Sequence, residues 1–164
     1  MNDHHSHVAE ERVRLDVDGS DVEIMRGGYP RLAQLVSEVT AESGPNVLKL
    51  HAGDAVTGTL WYSLFKGTVD AAAMGYICFD AFALGNHEFD DGDAQLAYFL
   101  GNLSATGCGT ATLAANVVPG PKSPLGHGFN SFLKPYKVFT VGDDTVGVID
   151  AHAHLLREHT RHAH

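Results

Sequence analysis

Positive charge is scarce in this chain: 11 Lys and Arg stand against 20 Asp and Glu in 164 residues, for a formal net charge of −9. The basic residues never gather into a patch, so the surface repels a phosphate backbone unless metal ions intervene. A nucleic-acid polymer is therefore not an expected partner. Long apolar runs are missing as well. No stretch approaches the roughly 20 residues that a membrane-crossing helix needs, so no membrane span is expected. The opening Met1-Asn2-Asp3-His4-His5 lacks the basic start and apolar core of a signal peptide. It reads either as the start of a cytoplasmic chain or as a chain whose true beginning lies upstream. Only two cysteines occur, Cys78 and Cys108, with no Cys-x-x-Cys pair. Nothing suggests a zinc or redox site, and two buried thiols are the expectation in preference to a disulfide.

What the chain does have is an ordinary globular balance, with 44% hydrophobic and 19% charged residues, enough for one domain with a sizeable core. Residues 8–25 contain the turn signal Asp18-Gly19-Ser20 and suit a loop or irregular hairpin. Leu32, Leu35, Val36 and Val39 fall at helical spacing before Gly44-Pro45. Asn46 to His51 reads as a strand that runs into Ala52-Gly53-Asp54, and residues 58–76 as one or two helices broken near Gly67. In that segment Trp61, Tyr62 and Phe65 are expected in the core. Phe79 to Leu84 is a second strand, Leu96, Phe99, Leu100 and Leu103 mark a further helix, and Thr110 to Asn116 a third strand. After a Pro/Gly-rich loop, Tyr136–Val141 and Thr145–Asp150 flank Gly142-Asp143-Asp144 as a β-hairpin. This alternation predicts an α/β domain with functional groups beyond the carboxyl ends of its strands.

Three groups of chemically capable residues fit that placement: Asp3-His4-His5, His51-Ala-Gly-Asp54, and Gly85-Asn86-His87-Glu88-Phe89-Asp90. Each alone is a modest signal. In this order, and together with Gly58-Thr59-Leu60-Trp61-Tyr62, Lys66-Gly67, Ala115-Asn116 and Pro135-Tyr136-Lys137-Val138, they closely resemble the calcineurin-like metallophosphoesterases, and within them the 5′-nucleotidase family. The match runs from residue 1 to about 150. It implies an α/β/β/α sandwich, truncated here, that lacks its first strand and its C-terminal half.

The resemblance also implies a chemistry. Hydrolysis of a phosphate monoester at neutral pH needs a nucleophilic hydroxide and a counterweight to charge on the phosphoryl oxygens, and two divalent metal ions about 4 Å apart supply both. By resemblance Asp54 bridges the metals, Asp3 and His5 bind the first, and Asn86 offers a neutral amide oxygen to the second. His4 would point away. His87 stands free of the metals as the catalytic acid, oriented by Asp90, Glu88 is structural, and Asn116 contacts substrate. The implied substrate is a nucleoside monophosphate, with 2′,3′-cyclic nucleotides or UDP-sugars as alternatives, and the implied location of the complete protein is extracytoplasmic or at the cell surface. His51 and His127 carry no role in this reading.

The sequence departs from the family in three respects. The downstream Gly-His-Ser and Gly-Gly-His-Ser type motifs that complete the metal shells are not in these 164 residues, and neither is a C-terminal domain that would hold the nucleotide base. Residues 151–164 form a tail with five histidines, expected to lie outside the fold and to bind Zn²⁺ or Ni²⁺ at most weakly. A catalytically incomplete fragment with residual metal binding is therefore the rival expectation.

Overall fold

The computed structural model describes residues 1–126 and 131–151. His127 and the tail from His152 onward, both singled out above, lie outside the described residues. Eight strands and four helices are described, and the α/β expectation holds. An antiparallel hairpin, β1 (Glu10–Val17) and β2 (Ser20–Gly27), turns at Asp18-Gly19 and leads into α1 (Tyr29–Ser43). Then come β3 (Leu50–His51), α2 (Leu60–Phe65), α3 (Thr68–Ile77), β4 (Ala81–Ala83), α4 (Gly92–Ala105), β5 (Ala111–Leu113) and β6 (Leu133–Lys134). A second antiparallel hairpin, β7 (Tyr136–Val141) and β8 (Asp144–Ile149), closes the order.

Strands β3 to β6 form one parallel sheet in sequence order, with helices crossing between its first three strands. Parallel strands need such crossovers, which cover the sheet and leave its middle dry. Phe82 and Leu84 point into the main core with Met74 and Ile77 of α3 and Leu96, Phe99, Leu100 and Leu103 of α4. The helical spacing seen in the sequence is thus the buried stripe of α4. On the opposite face Ala81, Ala111 and Leu113 meet Phe139 and Val148 of the second hairpin.

The expected break near Gly67 is real. Lys66 and Gly67 both take left-handed conformations between α2 and α3, and a Cβ on Gly67 would approach the Phe99 ring to 3.0 Å. Trp61 and Phe65 correct the expectation of core residues. Only Tyr62 is buried, while Trp61 and Phe65 stack on each other at 5.8 Å and stay 39% and 44% exposed. Six residues of helix have room for one inward face, and Tyr62 takes it.

Residues 1–6 run beside β3 in the parallel sense. The Met1 ammonium donates to the Leu50 carbonyl, Ala52 N–H to Met1 O, Asp3 N–H to Gly53 O, His5 N–H to Asp54 O and Ser6 N–H to Ala55 O. This irregular pairing puts the first candidate ligands next to Asp54.

Cys78 and Cys108 correct the reading of two free thiols: they form a disulfide, with Cα atoms 5.1 Å apart. The reason is topological. Each cysteine stands three residues before the paired residues Ala81 and Ala111 of adjacent parallel strands, so equal offsets bring them together at the amino ends of β4 and β5. Closing a loop of 30 residues restricts the unfolded chain by about 3–4 kcal/mol. Reduction, or Cys108→Ala, is expected to lower unfolding free energy by about 3 kcal/mol, read as a lower urea midpoint at unchanged slope.

Candidate metal centre

The carboxyl ends of adjacent elements carry the candidate residues in spatial order: Asp3 and His5 in the leading segment, Asp54 after β3, Asn86 and His87 after β4, and Asn116 in the turn after β5. His5, Asp54 and His87 each present a ligand atom within 4.8 Å of the other two. Asp3 joins them, with its Oδ1 3.7 Å from His5 Nε2. The rings of His5 and His87 meet edge to face at 5.0 Å. Asn86 is half-buried at the start of a single 3₁₀ turn, His87–Phe89. Asn116 is exposed in the turn that follows the carboxyl end of β5.

The loops are held by backbone contact. Glu88, 3% exposed, accepts hydrogen bonds from Gly85 N–H (2.6 Å), Asp54 N–H (2.8 Å) and Ala55 N–H (2.7 Å). Burial raises its pKa, and the three amides work against that rise. The expectation that Glu88 is structural therefore stands, and its work is to join the loop after β3 to the loop after β4. Two glycines permit the approach. A Cβ on Gly53 would fall 2.8 Å from Gly85 Cα, and one on Gly85 would fall 2.6 Å from Asp54 N and strike the Asp54 carboxylate.

Asp54 Oδ1 accepts from the His87 backbone N–H at 2.9 Å, so its carboxylate is aimed before any ligand arrives. His87 Nδ1 lies 2.7 Å from Asp90 Oδ2. That hydrogen bond is the main reason the His87 pKa is raised. Burial opposes the rise, and the charges of Asp90, Asp54 and Glu88 add to it. With Nδ1 held by Asp90, Nε2 is the atom left to face the site.

His51, read as incidental, proves to be buried and fully engaged at 1% exposure. Gly53 N–H donates to His51 Nδ1 at 3.1 Å, which places the neutral ring's proton on Nε2, 3.0 Å from His4 Nδ1. His4 Nε2 in turn faces Asp70 Oδ1 at 3.2 Å, and Ser6 Oγ donates to Asp70 Oδ2 at 3.0 Å. His4 points away from the site, as expected, and this is where it points. Nothing in the sequence marks the pairing, since the two histidines stand 47 residues apart.

The donor set, two imidazole nitrogens and the Asp54 carboxylate oxygen within 4.8 Å of one another, fits a divalent metal ion such as Zn²⁺ or Mn²⁺. The pattern of the calcineurin-like phosphoesterases matches residues 1–160. The chain belongs to the calcineurin-like phosphoesterase family. Members of this family use divalent metals, in keeping with the donor cluster. Among its relatives, a probable 5′-nucleotidase of Treponema pallidum is 43% identical over 149 residues, which are 91% of this chain and 23% of that protein. The solved NAD nucleotidase of Haemophilus influenzae superposes with a TM-score of 0.78 at 37% identity, over 91% of this chain and 28% of that one. The 5′-nucleotidase precursor of Thermus thermophilus gives 0.75 at 35% identity, over 92% and 27%. The chain thus spans about a quarter of the length of the relatives it matches. As a calcineurin-like phosphoesterase it carries Asp54, Asn86 and His87 just beyond the carboxyl ends of neighbouring strands of one sheet, with Asp3 and His5 beside them.

Burial, then the neighbouring His4 and the terminal ammonium, push the His51 pKa down to about 3 from 6.5. The folded state therefore refuses a proton that the unfolded state accepts. The stability His51 contributes is complete above pH 6.5 and drains as pH falls from there toward 3. The slope is about 1.4 kcal/mol per pH unit for one proton. Urea unfolding from pH 7.5 to 4.5 is expected to show this loss, and His51→Gln to reduce the slope by about one proton. An unchanged slope in His51→Gln would place the acid sensitivity elsewhere.

Proposed function

We propose that the protein carrying this chain is a 5′-nucleotidase-like metallophosphatase, which hydrolyses the phosphate ester of nucleoside monophosphates with two divalent ions. The observation that carries the reading is the convergence of His5, Asp54 and His87 at the carboxyl ends of the sheet, with Asp90 holding the outer face of His87. In this reading Asp3, His5, Asp54 and Asn86 would hold the ions, Asp54 serving both. Bound ions supply charge to the phosphoryl oxygens and an activated water.

The chain's own groups do the rest. Asp90 accepts from His87 Nδ1, keeps the ring oriented, and favours its protonated form, as the raised pKa reflects. A protonated imidazole does not ligate a metal, and it can donate from Nε2 to the departing nucleoside oxygen. That divides the labour between His5, a ligand, and His87, an acid. Asn116, exposed in the turn after β5, is assigned to substrate contact in this reading. The Cys78–Cys108 disulfide supports an oxidising, extracytoplasmic location.

Phosphate release from AMP by the full-length gene product is expected to need Mn²⁺, Co²⁺ or Zn²⁺ and to stop with EDTA. His87→Ala should lower kcat by about 10²–10⁴ while Mn²⁺ binding by calorimetry persists, whereas Asp54→Ala should remove the binding. No phosphate release from any ester, at any of these metals, would overturn the proposal.

A further inference from the structure

Beneath the site lies a polar chain that the proposed chemistry does not use. It runs from Gly53 N–H through His51 and His4 to Asp70, and Ser6 joins at its end. Every side chain in it is buried, Asp70 completely. Each link has a donor and an acceptor with none left over, which is how a buried polar network rigidifies its surroundings.

The ends of this chain matter. His4 is the residue between Asp3 and His5, so anchoring its ring fixes the peptide that bears both ligands. Gly53 is the residue before Asp54. Among the described residues His51 bridges these two points by its side chain, and its orientation is clamped by edge contacts to Phe79 (5.2 Å) and Phe82 (5.4 Å). His4 is clamped likewise by Tyr29 at 5.1 Å. Above the bridge, the backbone bonds Asp3 N–H to Gly53 O and His5 N–H to Asp54 O span the same gap at 3.0 and 3.1 Å.

We propose that His51 is a positioning residue for the metal centre, setting through His4 the separation between the Asp3/His5 pair and Asp54. The inference rests on the metal-site reading given above. An apolar side chain of similar volume would fill the space but leave Gly53 N–H and His4 Nδ1 without partners. The leading segment would then be tied to β3 by its backbone alone. A glutamine retains an amide N–H near the position of His51 Nε2 and can still donate to His4.

The test compares His51→Leu and His51→Gln in this chain, by Mn²⁺ calorimetry and by amide hydrogen exchange without metal. His51→Leu is expected to weaken Mn²⁺ binding by about tenfold to a hundredfold, the usual effect of removing a residue that orients a ligand. It should also speed exchange at Asp3 and His5 while α4 amides keep wild-type protection. His51→Gln should recover both. Wild-type exchange at Asp3 and His5 in His51→Leu, or equal acceleration throughout the chain with no recovery in His51→Gln, would overturn the proposal. Should the wild-type chain bind no Mn²⁺, the metal-site reading fails, and exchange at Asp3 and His5 still decides whether His51 positions the segment.

Discussion

The geometry of the site depends on one buried carboxylate. Glu88 accepts four backbone amides, that of Val56 at the longest distance, from two loops that belong to different strands, and this joins β3 to β4 beyond the point where their ladder ends. A carboxylate can do this because its two oxygens offer about four acceptor directions, and amide donors satisfy them without a counter-charge. That link holds Gly53 against Gly85 and the Asp54 carboxylate under the His87 amide. The distances between candidate ligands are consequently set by backbone, which has little freedom, and not by the rotamers of long side chains.

That arrangement has a cost, and the structure shows where it falls. Asp3, His5, Ser6 and Asp54 all take positive φ, at 51°, 43°, 53° and 52°, a region that L-residues avoid at about 1–3 kcal/mol each. Strain of this kind persists only where surrounding bonds over-determine the conformation. Here they do: the amides of Asp3, His5 and Ser6 bond to the carbonyls of residues 53–55, the Asp54 amide bonds to Glu88, and Ser6 is held by buried Asp70. Strain and restraint occupy the same few residues: Asp3, His5 and Asp54 border the site, and Ser6 anchors the leading segment from beneath.

Much of this was legible in the sequence, for identifiable reasons. The stripe Leu96, Phe99, Leu100 and Leu103, the break at Gly67 and the closing hairpin follow from periodicity and turn chemistry, which are local. Asp54 and Asn86-His87 were placed at strand ends because each follows a short apolar run, and the sheet confirms those ends as neighbours. Non-local facts were not legible. The Cys78–Cys108 bond depends on which strands pair, and the His51–His4 contact on a fold that brings residues 47 apart within 3.0 Å. The strand expected over 46–51 shortened to Leu50–His51 for a third reason. The Asp80 carboxylate takes the Lys49 amide at 2.7 Å, where a backbone carbonyl would have extended the ladder.

The acidic excess of the chain bears directly on how such a site can work. Asp3, Asp54, Glu88 and Asp90 lie around His5 and His87, and among the described residues no Lys or Arg is paired with this group. Two like unit charges 4 Å apart cost about 4 kcal/mol at an effective dielectric constant of 20, so a phosphate dianion facing these carboxylates alone is turned away. Cations must come first. With two divalent ions held as proposed, the carboxylates of Asp3 and Asp54 cancel half of their charge, and Asn86 contributes an oxygen without cancelling more. The remainder matches a phosphate dianion. In the proposed reading, an aspartate in place of Asn86 would bind the ions more tightly and leave less of their charge for the substrate, so a neutral amide ligand at this position favours the ester.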